Sequence, residues 1–537
     1  MRRIPSWIVV VLLAVLAVVA TWPVVLQMST GVSDFGDPLL NAWILGWDAH
    51  ALVTAPRHLF DANIFHPETW TLAYSETLLL PALLTAPVMW LGGSGVLAHN
   101  VVMLLGYVLS GLAMFWLVRR LTGDDGAALV AAVVYALYPY RMEAFAKIQL
   151  GQSWMWPLAL LALHDVMKTP SWRPTARLAL AVGAECYACV YYGVFGGIGL
   201  GIVAFVCLWQ LGAGRRLVFQ RLAVAALGSV LVAAPLAVAY ARASSVVGER
   251  GLSEVAAFSA RLADYTQPHP ESWLYGDDDR PGDAERRLFP GYVAPVLALG
   301  AFVAPVAPVA GAYLAAGLVT ADLSLGVNGP GYTWLYRHAA PLRAFRVPAR
   351  FTMFVGLVLA VLAGLGVARA RRGRSLVVQI TIVVTACLGA TAEGRMRPQT
   401  LVALEPHPAV YAWLNAQPPG VVCEYPVGNL EGRAGPQDAT YMYYSLQHWK
   451  PLVNGYSGFA PASYGALLHE LRGFPDDEGI AALRRRKVRY LLVHQPFYIN
   501  GDYAADIAAL RGRSDLRWAG RFRWKGGDTS DAFVVLP

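Results

Sequence analysis

Apolar residues dominate the first three quarters of the chain and form about a dozen runs separated by short polar segments. Runs of roughly 18 residues or more can cross a bilayer, and they are expected to be helices because backbone in lipid must satisfy its own hydrogen bonds. The pattern predicts a mainly α fold, a polytopic transmembrane helical bundle of about 11–13 spans. The runs lie at roughly 7–27, 77–92, 97–118, 127–139, 153–167, 177–191, 193–211, 222–240, 292–309, 310–326, 351–368 and 375–390.

The pattern changes near residue 392, after which no further run of this length occurs. Short apolar segments at 420–427, 488–495 and 531–537 indicate buried strands, and segments at 461–473, 478–486 and 502–511 indicate helices. Residues 392–537 are therefore predicted to form a soluble α/β domain, large enough to bury its own core. Residues 1–391 are predicted to form the transmembrane domain.

Clusters of basic residues predict the orientation of the chain in the membrane. Arg2 and Arg3 stand before the first run, and four arginines lie within 369–374, so the positive-inside rule places both segments in the cytoplasm. The polar segments 28–76 and 243–291 are then external loops, and residues 392–537 are extracytoplasmic. A cytoplasmic start and an external end require an odd number of spans, so at least one run is not a full span; region 119–170 has the shortest runs.

Composition narrows the class of protein. The chain is 56% hydrophobic and 15% charged, with a net charge of +8. Because the basic residues fall between apolar runs, membrane orientation explains this charge and no nucleic-acid partner is expected. Predominance of Arg over Lys hints at a GC-rich bacterial genome and indicates nothing more. The predicted location is the bacterial cytoplasmic (inner) membrane. Cys186 and Cys189 form a C-x-x-C within a predicted span, where small buried residues are expected rather than a redox or zinc site.

Two carboxylates follow the first predicted span, in the stretch "GVSDFGDPLLNAWILGWDAH". Asp34 and Asp37 are three residues apart, and Asp37 before Pro38 is typical of a helix N-cap followed by proline at the first helical position. The segment after it has apolar residues at helical spacing. We expect an interfacial helix with Trp43 and Trp47 facing lipid.

This layout resembles the GT-C superfamily of integral membrane glycosyltransferases, which includes aminoarabinose transferases, protein O-mannosyltransferases and oligosaccharyltransferases. The resemblance rests on the first span, the "DFGD" motif at Asp34–Asp37, the many spans and the external C-terminal domain. The later stretches "LFPGYVAP" and "LRAFRVPARF" look like those of bacterial membrane proteins placed near the superfamily. It implies transfer of a sugar from a polyprenyl-phosphate donor to a lipid, glycan or protein acceptor. It also implies that Asp37 or Asp34 serves as catalytic base or as ligand of a divalent cation (Mg, Mn or Zn), with no other cofactor.

Candidate contacts to a carrier phosphate come from two polar segments. Arg346 and Arg350 precede the run at 351–368 and, being four residues apart, could share a helical face. Arginine suits phosphate because its guanidinium donates two parallel hydrogen bonds, although snorkelling at a helix end is the simpler alternative. Tyr140 and Arg141, in "YPYRMEAFAKIQLGQS", are polar groups near membrane depth, where such groups are often functional.

Further candidates for substrate binding lie in the second loop and in the C-terminal domain. His269 belongs to the loop 243–291, whose triple Asp277–Asp279 is expected to be a solvated turn. His448, Asn454 and Tyr456 belong to "YMYYSLQHWKPLVNGYSGFAP", whose aromatic, amide and hydroxyl groups suit a sugar or glycan. A domain core with a turn is an equally good interpretation of that stretch.

Other function classes lack their motifs. The sequence has no G-x-x-x-x-G-K-[ST], H-E-x-x-H or G-x-S-x-G, so ATP-driven transport, zinc proteolysis and serine hydrolysis have no motif support. Two alternatives to the glycosyltransferase remain open: a polytopic transporter or lipid flippase, and a non-catalytic envelope protein.

Overall fold

The computed structural model describes residues 4–212, 214–276, 284–405, 407–428, 433–498 and 502–536. Residues 277–283, which include the predicted turn at Asp277–Asp279, lie outside the described residues. The fold is mainly α-helical, with short strands near the C-terminus, as predicted.

Helices α1–α16 precede the C-terminal segment. In chain order they are Ser6–Ala20, Asp37–Thr54, Leu79–Trp90, Gly95–Thr122, Asp125–Ala136, Pro139–Glu143, Met155–Lys168, Trp172–Ala188, Val190–Gln210, Arg215–Val247, Leu252–Ala257, Val293–Leu299, Pro308–Ser324, Pro330–His338, Thr352–Arg371 and Leu376–Gly394. Helices α17–α21 are Ala409–Asn415, Pro436–Ser445, Ala462–Glu470, Asp477–Arg485 and Tyr503–Arg511. Strands β1–β6 are Gly31–Val32, Val402–Ala403, Val421–Tyr425, Val488–His494, Leu516–Arg523 and Thr529–Val535.

Among the described residues, five helical segments are long and apolar enough to cross a membrane: α4, α9, α10, α16, and α15 together with the turn before it (Pro348–Arg371). Shorter apolar helices include Ser6–Ala20 and Asp125–Ala136. These helices agree with the predicted multi-pass membrane protein. α15 is the most enclosed of the five, since 89% of its most apolar 18-residue stretch is buried within the protein, compared with 17% for the corresponding stretch of α16.

The chain divides into two compact units. The first comprises Met1–Leu26, Val101–Ala237 and Glu249–Gln399, and the second comprises Gln27–Asn100, Val238–Gly248 and Thr400–Pro537. In the first unit, α15 packs against α5, α12 and α13, and α9 packs against α8 and α13.

The second unit contains a four-stranded sheet in the order β3-β4-β6-β5. β3 and β4 are parallel, the other pairs are antiparallel, and the register aligns Cys423 with Leu491 and Leu491 with Phe533. Three strands and three helices of this unit lie where the sequence pattern predicts them, with bounds that differ by about three residues or fewer. β5 lacks a clear apolar run because much of this strand is exposed.

The first predicted loop is part of this second unit. β1 pairs antiparallel with β2, aligning Gly31 with Ala403, and α2 packs against α3 and α18. The predicted helix after Asp37 is present, but the prediction that its aromatic side faces lipid is wrong. Trp43 is only 1% exposed and stacks near Trp47 (6.4 Å between ring centroids), so tertiary packing buries the aromatic side within protein.

Close helix packing in the first unit depends on glycine at specific positions. Gly196 of α9 lies against the indole of Trp156, whose Nε1 donates to the carbonyl of Tyr192 at 3.0 Å. A Cβ at Gly196 would overlap that indole, whereas a Cβ at Gly197 would meet no atom within 4 Å.

We therefore expect Gly196→Ala to destabilise the protein by about 1–3 kcal/mol through overpacking. Gly197→Ala is the matched control and should leave stability unchanged or slightly higher, because alanine favours helix more than glycine does. Thermal unfolding of the purified full chain in detergent measures both. Equal melting temperatures for the two variants would contradict the packing seen around Trp156.

Candidate functional site

The two predicted catalytic carboxylates lie at the start of α2, in the second unit. α2 begins at Asp37 with Pro38 in its first turn, so Asp37 is the first helical residue and not the predicted N-cap, which is Gly36. The backbone N–H of Gly36 donates to Asp34 Oδ1 at 2.8 Å, and Ser33 Oγ donates to Asp34 Oδ2 at 3.0 Å. A negative charge in the first turn is favourable because the helix dipole is positive there.

Tyr456 joins this pair from a distant part of the sequence. Its hydroxyl donates to Asp37 Oδ1 at 3.2 Å. A Cβ on Gly36 would lie 3.1 Å from Asp34 Oδ1 and 3.5 Å from the Tyr456 hydroxyl, so glycine leaves room where both groups converge. Asp37 is half-buried, and no described residue donates a hydrogen bond to its other oxygen. The structure thus brings together three of the predicted site residues.

Asn454 holds the segment that carries Tyr456. Its side-chain oxygen accepts from the backbone N–H of Glu424 at 2.8 Å, and its amide donates to the Glu424 carbonyl at 2.9 Å and to Asp438 Oδ1 at 3.1 Å. Asn454 is completely buried. Its side chain therefore acts as a structural clamp, which agrees with the domain-core alternative for this stretch.

His448 is also enclosed by protein. Its Nδ1 accepts from the backbone N–H of Lys450 at 3.0 Å, while Nε2 has no hydrogen-bond partner among the described residues. Burial, together with Lys450, lowers the pKa of His448 to about 3, so the imidazole is neutral at physiological pH. Its ring faces Tyr411 with centroids 6.1 Å apart.

The predicted phosphate-binding arginines lie in the first unit and are not on a shared helical face. Arg350 belongs to a short 3-10 turn, Pro348–Phe351, whereas Arg346 lies at a bend before it. Tyr191 links them: its hydroxyl accepts from the backbone N–H of Arg346 at 3.2 Å, and the Arg350 guanidinium lies 4.3 Å from its ring centroid. Proline at 348 interrupts the helical spacing on which the sequence interpretation relied.

Arg350 is held by Glu285. Its Nη2 and Nε donate to the two oxygens of Glu285 at 2.7 and 3.3 Å, Lys147 Nζ lies 2.5 Å from the same carboxylate, and the Tyr140 hydroxyl donates to it at 3.4 Å. Burial alone would raise the pKa of Glu285, but Arg350 and Lys147 lower it well below its usual value, so the carboxylate is ionised. Only 8% of the Arg350 side chain is exposed.

Arg346 is more accessible, with 39% of its side chain exposed. It shares the carboxylate of Glu254, at 3.3 Å, with Arg250, at 2.8 Å. These contacts and those of Glu285 join four cations and two carboxylates, which together carry a net positive charge. The six residues are Arg250, Arg346, Arg350, Lys147, Glu254 and Glu285. We call them the cation cluster.

Two predicted binding residues lie elsewhere in the first unit. Arg141 is 1% exposed, and its guanidinium donates to Ser110 Oγ, the Gly151 carbonyl and Ser153 Oγ at 3.0, 2.6 and 2.7 Å. It is engaged in holding helices together. His269 is half-buried; its Nδ1 accepts from the backbone of Glu271 at 2.9 Å, and burial and Arg287 lower its pKa to about 4.

Sequence reasoning missed Glu285 and Glu254, the carboxylates that organise the cation cluster. Both lie in polar loop sequence with several other charged residues, and no local pattern distinguishes them. It also missed a completely buried chain in the sheet of the second unit, in which His494 bonds Ser530 Oγ at 2.7 Å and Glu424 at 2.9 Å. The order of these three side chains is like that of a catalytic triad. All three are 0% exposed, however, so they serve to link β3, β4 and β6.

A divalent cation would need oxygen ligands near the reacting groups. Among the described residues there is no group of three or more His, Cys, Asp or Glu side chains arranged to hold a metal ion. Zinc sites take three or four protein ligands, whereas Mg²⁺ is commonly bound by one or two carboxylates with water and substrate phosphate. Asp34 and Asp37 therefore fit Mg²⁺ or Mn²⁺ better than Zn²⁺.

Comparison with solved structures identifies the fold. The chain is similar to the cryo-EM structure of a mutant of arabinofuranosyltransferase AftD from Mycobacteria, with a TM-score of 0.63 and 16% identity over 99% of this chain and 41% of that one. It thus spans about two fifths of the length of that protein. This similarity shows that the chain shares the fold of that arabinofuranosyltransferase over nearly its whole length.

A second similarity is weaker. The apo crystal structure of an oligosaccharyltransferase from Archaeoglobus fulgidus aligns with a TM-score of 0.46 and 13% identity, over 91% of this chain and 69% of that one. No family model matches the sequence, and no curated protein is significantly similar to it.

The buried hydrogen bonds of Asn454 predict the effect of replacing this residue. Asn454→Ala deletes three buried hydrogen bonds and should lower the stability of the second unit by at least about 1–3 kcal/mol, because buried polar partners are left unsatisfied. Asn415→Ala, at an exposed position near the end of α17, is the control and should change little. Limited proteolysis and thermal unfolding of the full chain measure both; resistance of Asn454→Ala equal to that of the control would contradict a structural role.

Proposed function

We propose that the protein is a GT-C-type membrane glycosyltransferase that moves a sugar from a polyprenyl-phosphate donor to a hydroxyl of a lipid, glycan or protein acceptor. The fold supports glycosyl transfer in general. The observation that carries the proposal is the half-buried Asp37 carboxylate, which Tyr456 holds through one oxygen beside a second carboxylate, Asp34. A loop directly after a predicted span is where an isoprenoid carrier could remain in lipid while its headgroup reacts.

Asp37 is the proposed catalytic base. In the reaction, the acceptor oxygen forms a bond to the anomeric carbon, the bond from that carbon to the carrier phosphate breaks, and the acceptor proton moves to a carboxylate. Tyr456 would fix one oxygen of Asp37 and leave the other for this proton. Asp34 is the alternative base, since its two oxygens are engaged only by local donors.

The cation cluster is the proposed site for the carrier phosphate. Its net positive charge suits an anionic phosphate, and arginine provides paired donors to phosphate oxygens. Arg346 would make this contact because its side chain is partly exposed. Arg350, fixed by Glu285, would act mainly by orienting Tyr191 and Arg346.

A divalent cation fits this proposal without being required by it. As the alternative to the role of base, Asp34 and Asp37 would hold Mg²⁺ or Mn²⁺, which would neutralise phosphate charge when bound. We further propose that the protein resides in the bacterial cytoplasmic membrane with residues 392–537 outside the cytoplasm, as the basic segments at Arg2–Arg3 and 369–374 favour.

The first test is incorporation of label from a panel of polyprenyl-phosphate sugars into membrane lipid and glycan. At matched expression, Asp37→Asn should reduce transfer by about 10²–10⁴-fold, because an amide cannot accept the proton. Tyr456→Phe should lower kcat by roughly tenfold with little change in KM, since it removes one neutral hydrogen bond that orients the base.

Glu478→Gln is the matched control for this test, as an exposed carboxylate on α20 converted to an amide, and should transfer like wild type. Transfer by both Asp37→Asn and Asp34→Asn at the wild-type rate would exclude the proposed catalytic site. Sugar or lipid movement across vesicles without covalent transfer would favour a transporter or flippase instead, and an envelope protein with neither activity would tolerate every substitution.

The second test separates Arg346 from Arg350. Arg346→Gln should raise KM for the lipid-linked donor by roughly 10–100-fold, corresponding to the loss of one charge-assisted contact. Arg350→Gln should instead reduce the amount of folded protein, because Glu285 loses its bidentate partner in a buried site. Arg337→Gln, an exposed position on α14, is the control. An unchanged donor KM in Arg346→Gln would remove this residue from the phosphate site.

A further inference from the structure

A large cavity lies in the first unit, and none of the proposed catalytic or phosphate-binding residues lines it. Its volume is about 1100 Å³, at or above the upper end of the roughly 300–1,000 Å³ typical of small-molecule sites. It lies where α4 and α15 end and where α5 and α16 begin. Its polar wall is formed by Arg119, Arg120, Asp124, Asp125, Arg371 and Arg372.

The polar wall carries an excess of positive charge, with four arginines and two aspartates. Arg371 is fixed: its Nε donates to Asp124 Oδ2 at 2.9 Å and its Nη1 to the Gln379 carbonyl at 2.8 Å. Gly126 makes this possible, because a Cβ there would lie 2.5 Å from Arg371 Nη1. Arg371 therefore forms a rigid floor whose charge is already balanced by Asp124.

Two other arginines of the wall are available to a ligand. Arg119 is half-buried and its guanidinium lies 5.0 Å from the Phe115 ring centroid, and Arg372 is exposed. Neither guanidinium has a hydrogen-bond partner among the described residues. Arg120 is paired with Asp165 at 2.9 Å. Snorkelling accounts for single arginines at helix ends, but it does not require several of them to line one cavity.

The cavity also has apolar lining residues, here called the apolar wall, which include Trp116, Leu129 and Val383. α4, α15 and α16 are all long and apolar enough to cross a membrane. If they do, a cavity at their ends would lie at the level where lipid headgroups meet acyl chains. A ligand that matches both walls has an anionic phosphate next to hydrocarbon. Basic pockets between membrane helices are suited to anionic lipid headgroups for this reason.

We propose that this cavity binds the phosphate-bearing headgroup of an anionic membrane phospholipid, with Arg119 and Arg372 contacting the phosphate and the apolar wall contacting the upper acyl chains. The site is independent of the proposed transfer reaction and shares no residue with it. By the positive-inside rule it faces the cytoplasmic leaflet, since it is lined by residues of the 369–374 segment.

The test is thermal unfolding of the purified full chain in mixed micelles containing dioleoyl-phosphatidylglycerol, with dioleoyl-phosphatidylcholine and inorganic phosphate as separate arms. Phosphatidylglycerol should raise the melting temperature in a saturable manner, because a ligand that binds only the folded state stabilises it. Phosphatidylcholine and inorganic phosphate should have much smaller effects. The double variant Arg119→Gln/Arg372→Gln should unfold like wild type without lipid and bind phosphatidylglycerol about tenfold or more weakly.

The double variant Arg216→Gln/Arg374→Gln is matched in charge, since both arginines are exposed and neither lines the cavity, and it should bind like wild type. Val383→Trp, which narrows the cavity without changing charge, should weaken binding as well. The proposal is overturned if Arg119→Gln/Arg372→Gln binds like wild type, if the matched control weakens equally, or if Val383→Trp has no effect. Full stabilisation by phosphatidylcholine or by inorganic phosphate alone would also overturn it.

Discussion

A single buried carboxylate, Glu285, ties together three segments of the first unit that are far apart in sequence. It contacts Arg350 just before a membrane span, and Lys147 and Tyr140 in the short helical segment near residue 145. An ion pair removed from water is retained only when its geometry is good and its remaining polar atoms are satisfied. Glu285 meets this condition with several donors, and the arrangement of Tyr191 and Arg346 depends on the position of Arg350 that it fixes.

In the second unit, the side-chain amide of Asn454 holds distant segments together in a similar way. Asn454 satisfies the backbone of Glu424 on both sides and a buried oxygen of Asp438, which places Tyr456 two residues later where its hydroxyl reaches Asp37. In both units, therefore, side chains that look suited to ligands serve to position others. Asn454, His448 and Arg141 are buried and engaged by protein, whereas Asp34, Asp37 and Arg346 remain partly accessible.

Local patterns predicted a large part of the fold. Apolar runs predicted the helical membrane bundle, and alternating or short apolar segments predicted β3, β4 and β6 and the helices between them. The prediction for α2 was correct as a helix but wrong about its surroundings, because periodicity shows which side is apolar and not whether lipid or protein covers it. Asp37 differed by one position from its expected capping role, within the ordinary uncertainty of helix ends.

What the sequence determined by itself was the class of the protein: a membrane-embedded helical chain with a C-terminal α/β region, acidic residues after the first span and arginines before a later one. These features depend on residue type and short-range spacing, which any segment carries with it. Only the tertiary structure decided that Tyr456 meets Asp37 and that Glu285 meets Arg350, across 419 and 65 residues respectively. Such contacts depend on how distant segments pack, and no local pattern records that packing.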